Sequence, residues 1–391
     1  MQKAMLFVAH WLIYVSLFAQ AHEVTALPTS PQLKSLEDRK AEWAAQHHII
    51  LNVVVRDPSG APVHHLLSEN VTLLDGTRSE PLQSFRELAG QQSLEPVHGV
   101  LVFDTIDTST RELMEERKAL EAFLTRKHGL LGYPLSLAVV TDAGAILGQE
   151  SQKGEDLVSQ LRALPLISHM DEASGTGEAL SPADRMSSHD LATMPTSQAN
   201  AVARAHKLSS LNRRFKSAVP ALLHLVLAQQ DLPGRCVLVW LGQGWPLLSE
   251  SEFVADSPHA RQSYFESIVA VKNAIRESQT TVYNVSLRRI SGGDQRDYKN
   301  FVAPVHTAEQ AKAGNLSLQV LSLYSGGDVM DQSADFAQEI AACFRDAESH
   351  YVIAFDAHPA ATTHEYHSLQ VKIVGRPDVS VANTQGYYDE P

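Results

Sequence analysis

Cysteine is scarce in this chain, and the scarcity excludes a disulfide-stabilised scaffold. The 391 residues contain two cysteines, Cys236 and Cys343, whereas disulfide frameworks carry several pairs at close spacing. Both cysteines lie in apolar surroundings, in the sequences Arg-Cys-Val-Leu-Val-Trp and Ala-Ala-Cys-Phe, which favours buried thiols. A single disulfide stays an open alternative, since a sequence does not fix the distance between two Cα atoms.

Excess positive charge and long apolar runs are missing as well. The formal net charge is −13 at pH 7, which argues against nucleic acid or an anionic membrane surface as a partner. Beyond the first residues, no segment reaches the length of about 18 apolar residues that a membrane-spanning helix needs. We therefore expect no nucleic-acid partner and no integral membrane segment in the mature chain.

The motifs of common enzyme classes are also lacking. There is no Gly-x-Ser-x-Gly nucleophile elbow and no Gly-x-x-x-x-Gly-Lys phosphate loop, and the glycine pairs at 242–244 and 292–293 are typical of turns. Three C-terminal histidines, His358, His364 and His367, leave zinc as an alternative, but no cysteine or acidic motif at ligand spacing accompanies them. We expect no catalytic residues and no cofactor.

The first 21 residues have the pattern of a secretory signal peptide. Lys3 provides a positive charge, residues 4–18 are apolar, and Ala19-Gln-Ala21 is a small-x-small cleavage site. An uncleaved membrane anchor is the alternative, which the short apolar region disfavours. The pattern predicts a secreted or periplasmic protein of bacterial type.

Five further segments follow from changes in periodicity. Residues 22–47 form a polar leader, and residues 48–96 form a small β-rich module with turn signals at Asp57-Pro-Ser-Gly60 and Asp75-Gly76. From 97 to 349, apolar strands alternate with helices, which predicts a doubly wound, mainly parallel α/β sheet. Within it, residues 165–205 lack periodicity and form an insertion. Residues 350–391 are predicted to form β strands, and it stays open whether they complete the small module.

The most informative stretch is Gly99–Thr110. Four apolar residues, Val100–Phe103, end abruptly at Asp104, as expected of a strand buried on both faces. Ligands of open α/β sheets bind at the carboxyl ends of such strands. We therefore predict a binding face from the polar and aromatic residues that follow three strands: Asp104, Asp107, Thr108, Ser109, Gln243, Trp245 and Asp294.

Several motifs together resemble the VWFA-related domain family, secreted von Willebrand factor A-like proteins described mainly from acidobacterial genomes. The chain matches the family's opening module, its first strand, its Pro-Gly-Arg strand, its Thr-Gly-Gly turn and its Tyr-rich ending over about residues 48 to 389. The matching segments are Asn52–Val63, Leu67–Gly76, Leu101–Asp104, Leu232–Pro246, Ser325–Gly327, Tyr351–Phe355, His367–Lys372 and Thr384–Tyr388. The resemblance implies a secreted, non-catalytic von Willebrand A-like domain.

The resemblance also implies a divalent-cation site, which this chain carries only in degenerate form. The motif Asp-x-Ser-x-Ser becomes Asp104, Ile106 and Thr108, so an isoleucine replaces a hydroxyl ligand. A frame that starts at Asp107 puts Arg111 in the last ligand position, and the loop 242–244 lacks the expected acid. Because hard cations need several oxygen ligands, we expect no metal, with Asp104 and Thr108 as the residues left for Mg²⁺ or Mn²⁺.

Three functions remain open at this point. The first is a protein-binding module that acts through the strand-end loops without metal. The second is a metal-dependent hydrolase or a cation-bridged adhesion domain that uses Asp104 or the C-terminal histidines. The third is a structural scaffold of the cell envelope. In the absence of a metal, Asp104, Thr108 and Ser109 would cap the following helix.

Overall fold

A computed structural model describes residues 48–89, 95–168, 195–245, 258–287, 294–330 and 335–391. The predicted signal peptide and polar leader, together with residues 169–194 of the predicted insertion, lie outside this part of the chain. Among the helices of the described residues, none has the length and apolar character to cross a membrane.

The strands are, in chain order, β1 His48–Arg56, β2 Val71–Asp75, β3 Arg78–Glu80, β4 Ser84–Ala89, β5 Val97–Asp104, β6 Leu130–Thr141, β7 Gly144–Leu147, β8 Ser151–Lys153, β9 Arg235–Leu241, β10 Thr280–Val285, β11 Val329–Met330, β12 Ser349–Asp356, β13 Glu365–Ile373, β14 Ser380–Ala382 and β15 Gly386–Asp389. The α-helices are α1 Thr110–Leu124, α2 Gly154–Ala163, α3 Thr196–Leu227, α4 Pro258–Glu277, α5 Leu318–Tyr324 and α6 Phe336–Glu348. Short 3-10 helices complete the connections.

The central sheet has the strand order β7-β6-β5-β9-β10-β11, with β8 also paired to β6. Strands β6, β5, β9, β10 and β11 run parallel to their neighbours, and β7 is an antiparallel edge. Numbered by appearance along the chain, this is the order 3-2-1-4-5-6 of a doubly wound sheet. The order reverses between β5 and β9, so the topological switch point lies at the carboxyl ends of these two strands.

Helices cover both faces of this sheet, which explains why its strands are apolar throughout. Val100 and Val102 of β5 pack in one core cluster with residues of α3, α4 and α5. Leu101 and Phe103 point the other way, into a cluster with residues of α1, α2 and α6. Alternate residues of one strand therefore enter two cores. The predicted α/β class with a mainly parallel sheet is confirmed.

Two antiparallel sheets form a separate sandwich from both ends of the described chain. One sheet has the order β14-β1-β12-β4 and the other β15-β13-β2-β3. In the first, Leu51 lies opposite Ile353; in the second, Leu73 lies opposite Val371. These residues share one core cluster with Phe355. Residues 48–89 and 350–391 thus build two sheets together.

A buried polar junction connects the sandwich to the α/β part. Arg56 of β1 forms a two-pronged ion pair with Asp346 of α6, with an Nε to Oδ1 distance of 3.0 Å. The same carboxylate accepts a 2.9 Å hydrogen bond from the hydroxyl of Tyr283. Arg235 donates to the backbone carbonyl of Asp346 at 3.0 Å. One aspartate therefore joins β1, α6 and β10.

Several boundaries differ from the sequence-based expectations. Helix α3 begins at Thr196, inside the predicted 165–205 insertion, and continues through the exposed Pro220. A 3-10 helix occupies Asp294–Phe301. Cys236 and Cys343 are both free and buried. They belong to the clusters on opposite faces of the central sheet, which explains why no disulfide joins them.

Candidate functional site at the carboxyl edge of the central sheet

Asp104 ends β5 at the switch point, and its carboxylate is turned inward. It is 0% exposed. One oxygen accepts hydrogen bonds from the backbone N–H groups of Ile106 at 3.0 Å and Asp107 at 2.9 Å. The other oxygen accepts from Nε1 of Trp240 at 3.1 Å. Burial raises the pKa of Asp104, and these hydrogen bonds offset part of the rise. The side chain therefore fixes the loop that follows β5.

Asp107 forms an ion pair with Arg214 of α3. The Nε and Nη2 groups of the guanidinium both reach Oδ1 of Asp107, and the other carboxylate oxygen, Oδ2, has no hydrogen-bond partner within the described residues. Burial, and then the charge of Asp104, raise the pKa of Asp107 well above its usual range, while Arg214 opposes the rise. The charge and the hydrogen bond of Arg214 are the two effects that favour the ionised form of Asp107.

Thr108 and Glu116 face the glycine that follows β9. Both residues are 2% exposed, and Thr108 Oγ1 and Glu116 Oε2 lack hydrogen-bond partners in the described part of the chain. Gly242 has a φ of +105°, and a Cβ at this position would come within 2.6 Å of Thr108 Oγ1 and 3.6 Å of Glu116 Oε1. A side chain at position 242 would therefore clash with the threonine.

Glu116 was not among the predicted site residues, although the sequence contains a signal for it. The buried residues of α1 include Leu113, Glu116 and Leu120, so the glutamate falls on the apolar stripe of an amphipathic helix. Burial is the main cause that raises the pKa of Glu116 well above the usual range, and the negative charges of Asp104, Glu112 and Glu115 raise it further. A carboxyl group at a core position of a helix is uncommon unless it is paired.

Ser109 is the N-cap of α1, one of the three residues expected to cap this helix; Asp104 instead binds the backbone of Ile106 and Asp107. The backbone of Ser109 is extended, and its Oγ accepts a 3.4 Å hydrogen bond from the backbone N–H of Glu112. The Glu112 carboxylate in turn accepts a 3.2 Å hydrogen bond from the Ser109 N–H. This reciprocal pair is a capping box. Ser109 therefore has a structural role at the start of the helix.

In the loop after β9, the expectation that Trp245 belongs to an exposed binding face is wrong. Trp245 is 0% exposed, donates from Nε1 to the carbonyl of Leu316 at 3.0 Å, and packs edge-to-face on Trp240. It therefore lies inside the fold, because its indole completes the core beneath the loop, and it offers no exposed anchor. Gln243 is half-buried. Asp294 begins the 3-10 helix at 294–301, and its side chain is outside the described part.

The loop that follows β5 is contacted by Ser168, inside the predicted insertion, and by Arg214, shortly after it. Ser168, at the entry, donates a 2.7 Å hydrogen bond to the carbonyl of Thr108. Arg214, beyond the exit, pairs with Asp107. Two segments separated by more than forty residues in the sequence therefore hold the same loop.

The donor set does not fit the divalent cation that the family resemblance implies. Both oxygens of Asp104 already accept hydrogen bonds, and Ile106 is a core residue that is 1% exposed. Asp107 already forms an ion pair with Arg214. Within the described residues, no group of three or more His, Cys, Asp or Glu side chains is arranged to hold a metal ion. The C-terminal histidines are dispersed, since His358, His364 and His367 pair with three different carboxylates, those of Glu80, Glu390 and Asp75.

Comparisons with known proteins give no family assignment. No family model matches the chain, and no curated protein matches it. Among solved structures, it is similar to the human COPII-coat protein Sec24c, with 7% identity, a TM-score of 0.28, and coverage of 76% of this chain and 44% of that chain. It is also similar to the PilB minor pilin from Streptococcus sanguinis, with 11% identity, a TM-score of 0.29, and coverage of 66% and 61%.

A third similar structure is a von Willebrand factor type A protein from Catenulispora acidiphila, with 11% identity, a TM-score of 0.27, and coverage of 81% of this chain and 75% of that chain. The chain spans less than two thirds of the length of the first two structures. At these TM-scores the likenesses carry no argument about function. The class of the fold, a doubly wound α/β sheet joined to an antiparallel sandwich, rests on the topology of this chain.

Proposed function

We propose that this protein is a secreted, non-catalytic, von Willebrand A-like module that binds another protein through the carboxyl edge of its central sheet, without a metal. The observation that carries the proposal is the position of the two loops. Residues 105–109 and 242–245 follow β5 and β9, the two strands that flank the switch point. This is the place where doubly wound sheets bind their ligands.

The chemistry of the edge supports protein binding better than catalysis. The buried layer of Asp104, Asp107 and Thr108 is fixed by internal hydrogen bonds and an ion pair, so it shapes the loop. The rim above it presents Thr110 and Asp142, which are exposed, and Gln243, which is half-buried. A rigid loop with a polar rim suits the recognition of a partner surface, since preorganised loops lose little entropy on binding.

Site-specific photo-crosslinking tests this proposal. A crosslinking amino acid would replace Gln243 or Asp142 at the carboxyl edge, and Leu232 as the matched control. Leu232 is 42% exposed and precedes β9, so it lies at the opposite, amino end of the sheet. The full-length chain would be expressed with its natural leader in its own host, and the exported protein should begin at His22.

We expect the two carboxyl-edge probes to give the same discrete crosslinked protein, and the Leu232 probe to give none. Pretreatment with a chelator should leave the product unchanged, because the proposed interface contains no metal. A product that forms equally from Leu232, or that disappears with the chelator, would contradict the proposal.

A further inference from the structure

Among the described residues at the switch point, three buried carboxyl groups lie near the one arginine that pairs with Asp107. Asp104, Asp107 and Glu116 are at most 6% exposed, and burial raises the pKa of each of them. The charge of Asp104 adds to the rise at both neighbours. Buried acidic groups are costly unless they are paired or protonated. A positive charge at this place therefore stabilises the ionised form of these groups.

Arg214 provides that charge from the side of α3. Its Nε and Nη2 groups both bind the carboxylate of Asp107. The arginine side chain is 20% exposed, whereas that of Asp107 is 1% exposed, so the guanidinium lies between the carboxylate and solvent. A guanidinium keeps its charge at every physiological pH. The positive charge beside Asp107 is therefore present at every physiological pH.

We propose that Arg214 is a built-in cation of the carboxyl edge and fills the role that a bound divalent ion has in a metal-dependent site. This inference goes beyond the proposed binding function and does not depend on it. The degenerate motif then has a physical explanation. Ile106 no longer needs to be a ligand, because the positive charge arrives from α3 through Asp107.

Removal of the guanidinium would leave oxygen donors that suit a hard cation. Asp107 would have both carboxylate oxygens free, and Thr108 Oγ1 already lacks a hydrogen-bond partner within the described residues. Carboxylates and hydroxyls are ligands for Mg²⁺ and Mn²⁺. Loss of this one charge should therefore create a cation dependence that the natural chain does not have.

Thermal unfolding of the full chain, followed by circular dichroism in chelator and in millimolar Mg²⁺ or Mn²⁺, tests the inference. The natural chain should show the same Tm in both. Arg214→Gln should melt several degrees lower in chelator and recover several degrees with the cation, because a ligand of the folded state raises its stability by mass action. Arg214→Lys keeps a positive charge and should stay insensitive to the cation.

Two further variants make the result specific. Arg214→Gln combined with Asp107→Asn removes the ligand as well and should abolish the cation response. Arg111→Gln is the matched control, because Arg111 is an exposed arginine near the same loop that pairs with Glu115 on its own helix. This control should melt like the natural chain under both conditions.

A rise of the Tm of the natural chain with cation would overturn the inference. So would an Arg214→Gln chain that is folded but insensitive to cation, or one that stays unfolded even when the cation is present. An Arg214→Gln chain that is unfolded in chelator and folds with the cation would support it. None of these outcomes depends on a binding partner, so the result is independent of the crosslinking experiment.

Discussion

At the scale of single residues, Lys272 is an ionisable side chain that is almost fully buried. The residue is 2% exposed, and its Nζ lies 4.5 Å from the ring centre of Tyr324 and 5.6 Å from that of Tyr366. Cation–π contacts offset part of the cost of burial. Burial nevertheless lowers the pKa of Lys272 from 10.5 to about 8.

This shift predicts that Lys272 contributes stability as the pH rises above neutrality, whereas the buried thiols of Cys236 and Cys343, whose pKa values are raised by burial, act in the opposite direction. The unfolded chain holds the Lys272 proton up to its ordinary pKa, whereas the folded chain releases it near pH 8, so the stability rises between the two values. From about pH 7.5 to about pH 9.5 the contribution of Lys272 should be a gain of about 2 kcal/mol. Urea unfolding of the natural chain and of a Lys272 variant at both pH values measures this contribution as a difference.

Substitution assigns that pH dependence to one residue. Lys272→Met should remove the gain of about 2 kcal/mol, because no proton then dissociates at this position. Lys372→Met, on the exposed face of β13, is the control and should keep it. A Lys272→Met chain with the same pH dependence as the natural protein would show that other groups cause the effect.

The site residues differ in how far the sequence could predict them. Asp104 and Ser109 were identifiable because strand end and helix cap are local features. Trp245 was misjudged, because its burial depends on Leu316, 71 positions away. Arg214 could not be foreseen, since the sequence does not show that a helix so distant along the chain would meet Asp107. Long-range contacts, rather than local pattern, decide which polar residues are buried.

At the scale of elements, the start of α1 determines the shape of the loop after β5. The capping box of Ser109 and Glu112 satisfies N–H groups that the first turn of a helix leaves free. Ser109→Ala should therefore lower the free energy of unfolding by about 1 kcal/mol. Chemical denaturation measures the change.

An asparagine at the same position separates capping from other effects. Ser109→Asn keeps a side-chain oxygen that can accept the Glu112 N–H, so this variant should stay close to the natural stability. Equal losses for alanine and asparagine would show that the hydroxyl acts through another contact.

The elements show a similar division between what the sequence predicts and what it leaves open. Strands β5 and β9 were predicted from their continuous apolar runs, which sheet burial on both faces requires. The sequence left open that C-terminal strands complete the small module, but it did not predict that β1 pairs with β12, since this pairing joins residues about three hundred positions apart. The start of helix α3 at Thr196 falls inside the segment predicted as an insertion, because its first turns have the polar composition of that segment.

At the scale of the whole molecule, the sandwich and the α/β part have no simple boundary along the chain. The α/β segment is inserted between the two halves of the sandwich, and the Arg56–Asp346–Tyr283 junction joins them. Segments that share buried polar contacts and a continuous backbone tend to unfold together. We therefore expect both parts to unfold in one transition.

The junction provides the test of that cooperativity. Asp346→Asn removes the charge that pairs with Arg56, whose side chain is 23% exposed against 12% for Asp346. The loss should be about 2 kcal/mol, since the pair is largely but not fully buried. Arg56→Met should cost a similar amount, and the double variant should cost less than the sum of the two, because both remove the same interaction.

Hydrogen exchange across a denaturant series shows whether the two parts remain one cooperative unit. In the natural chain, amides of β1 and β13 in the sandwich should lose protection at the same denaturant concentration as those of β5 and β9 in the central sheet. In Asp346→Asn all four strands should shift together to a lower concentration. A variant in which β1 and β13 exchange first, while β5 and β9 keep the natural midpoint, would show that the junction holds together two independently stable parts.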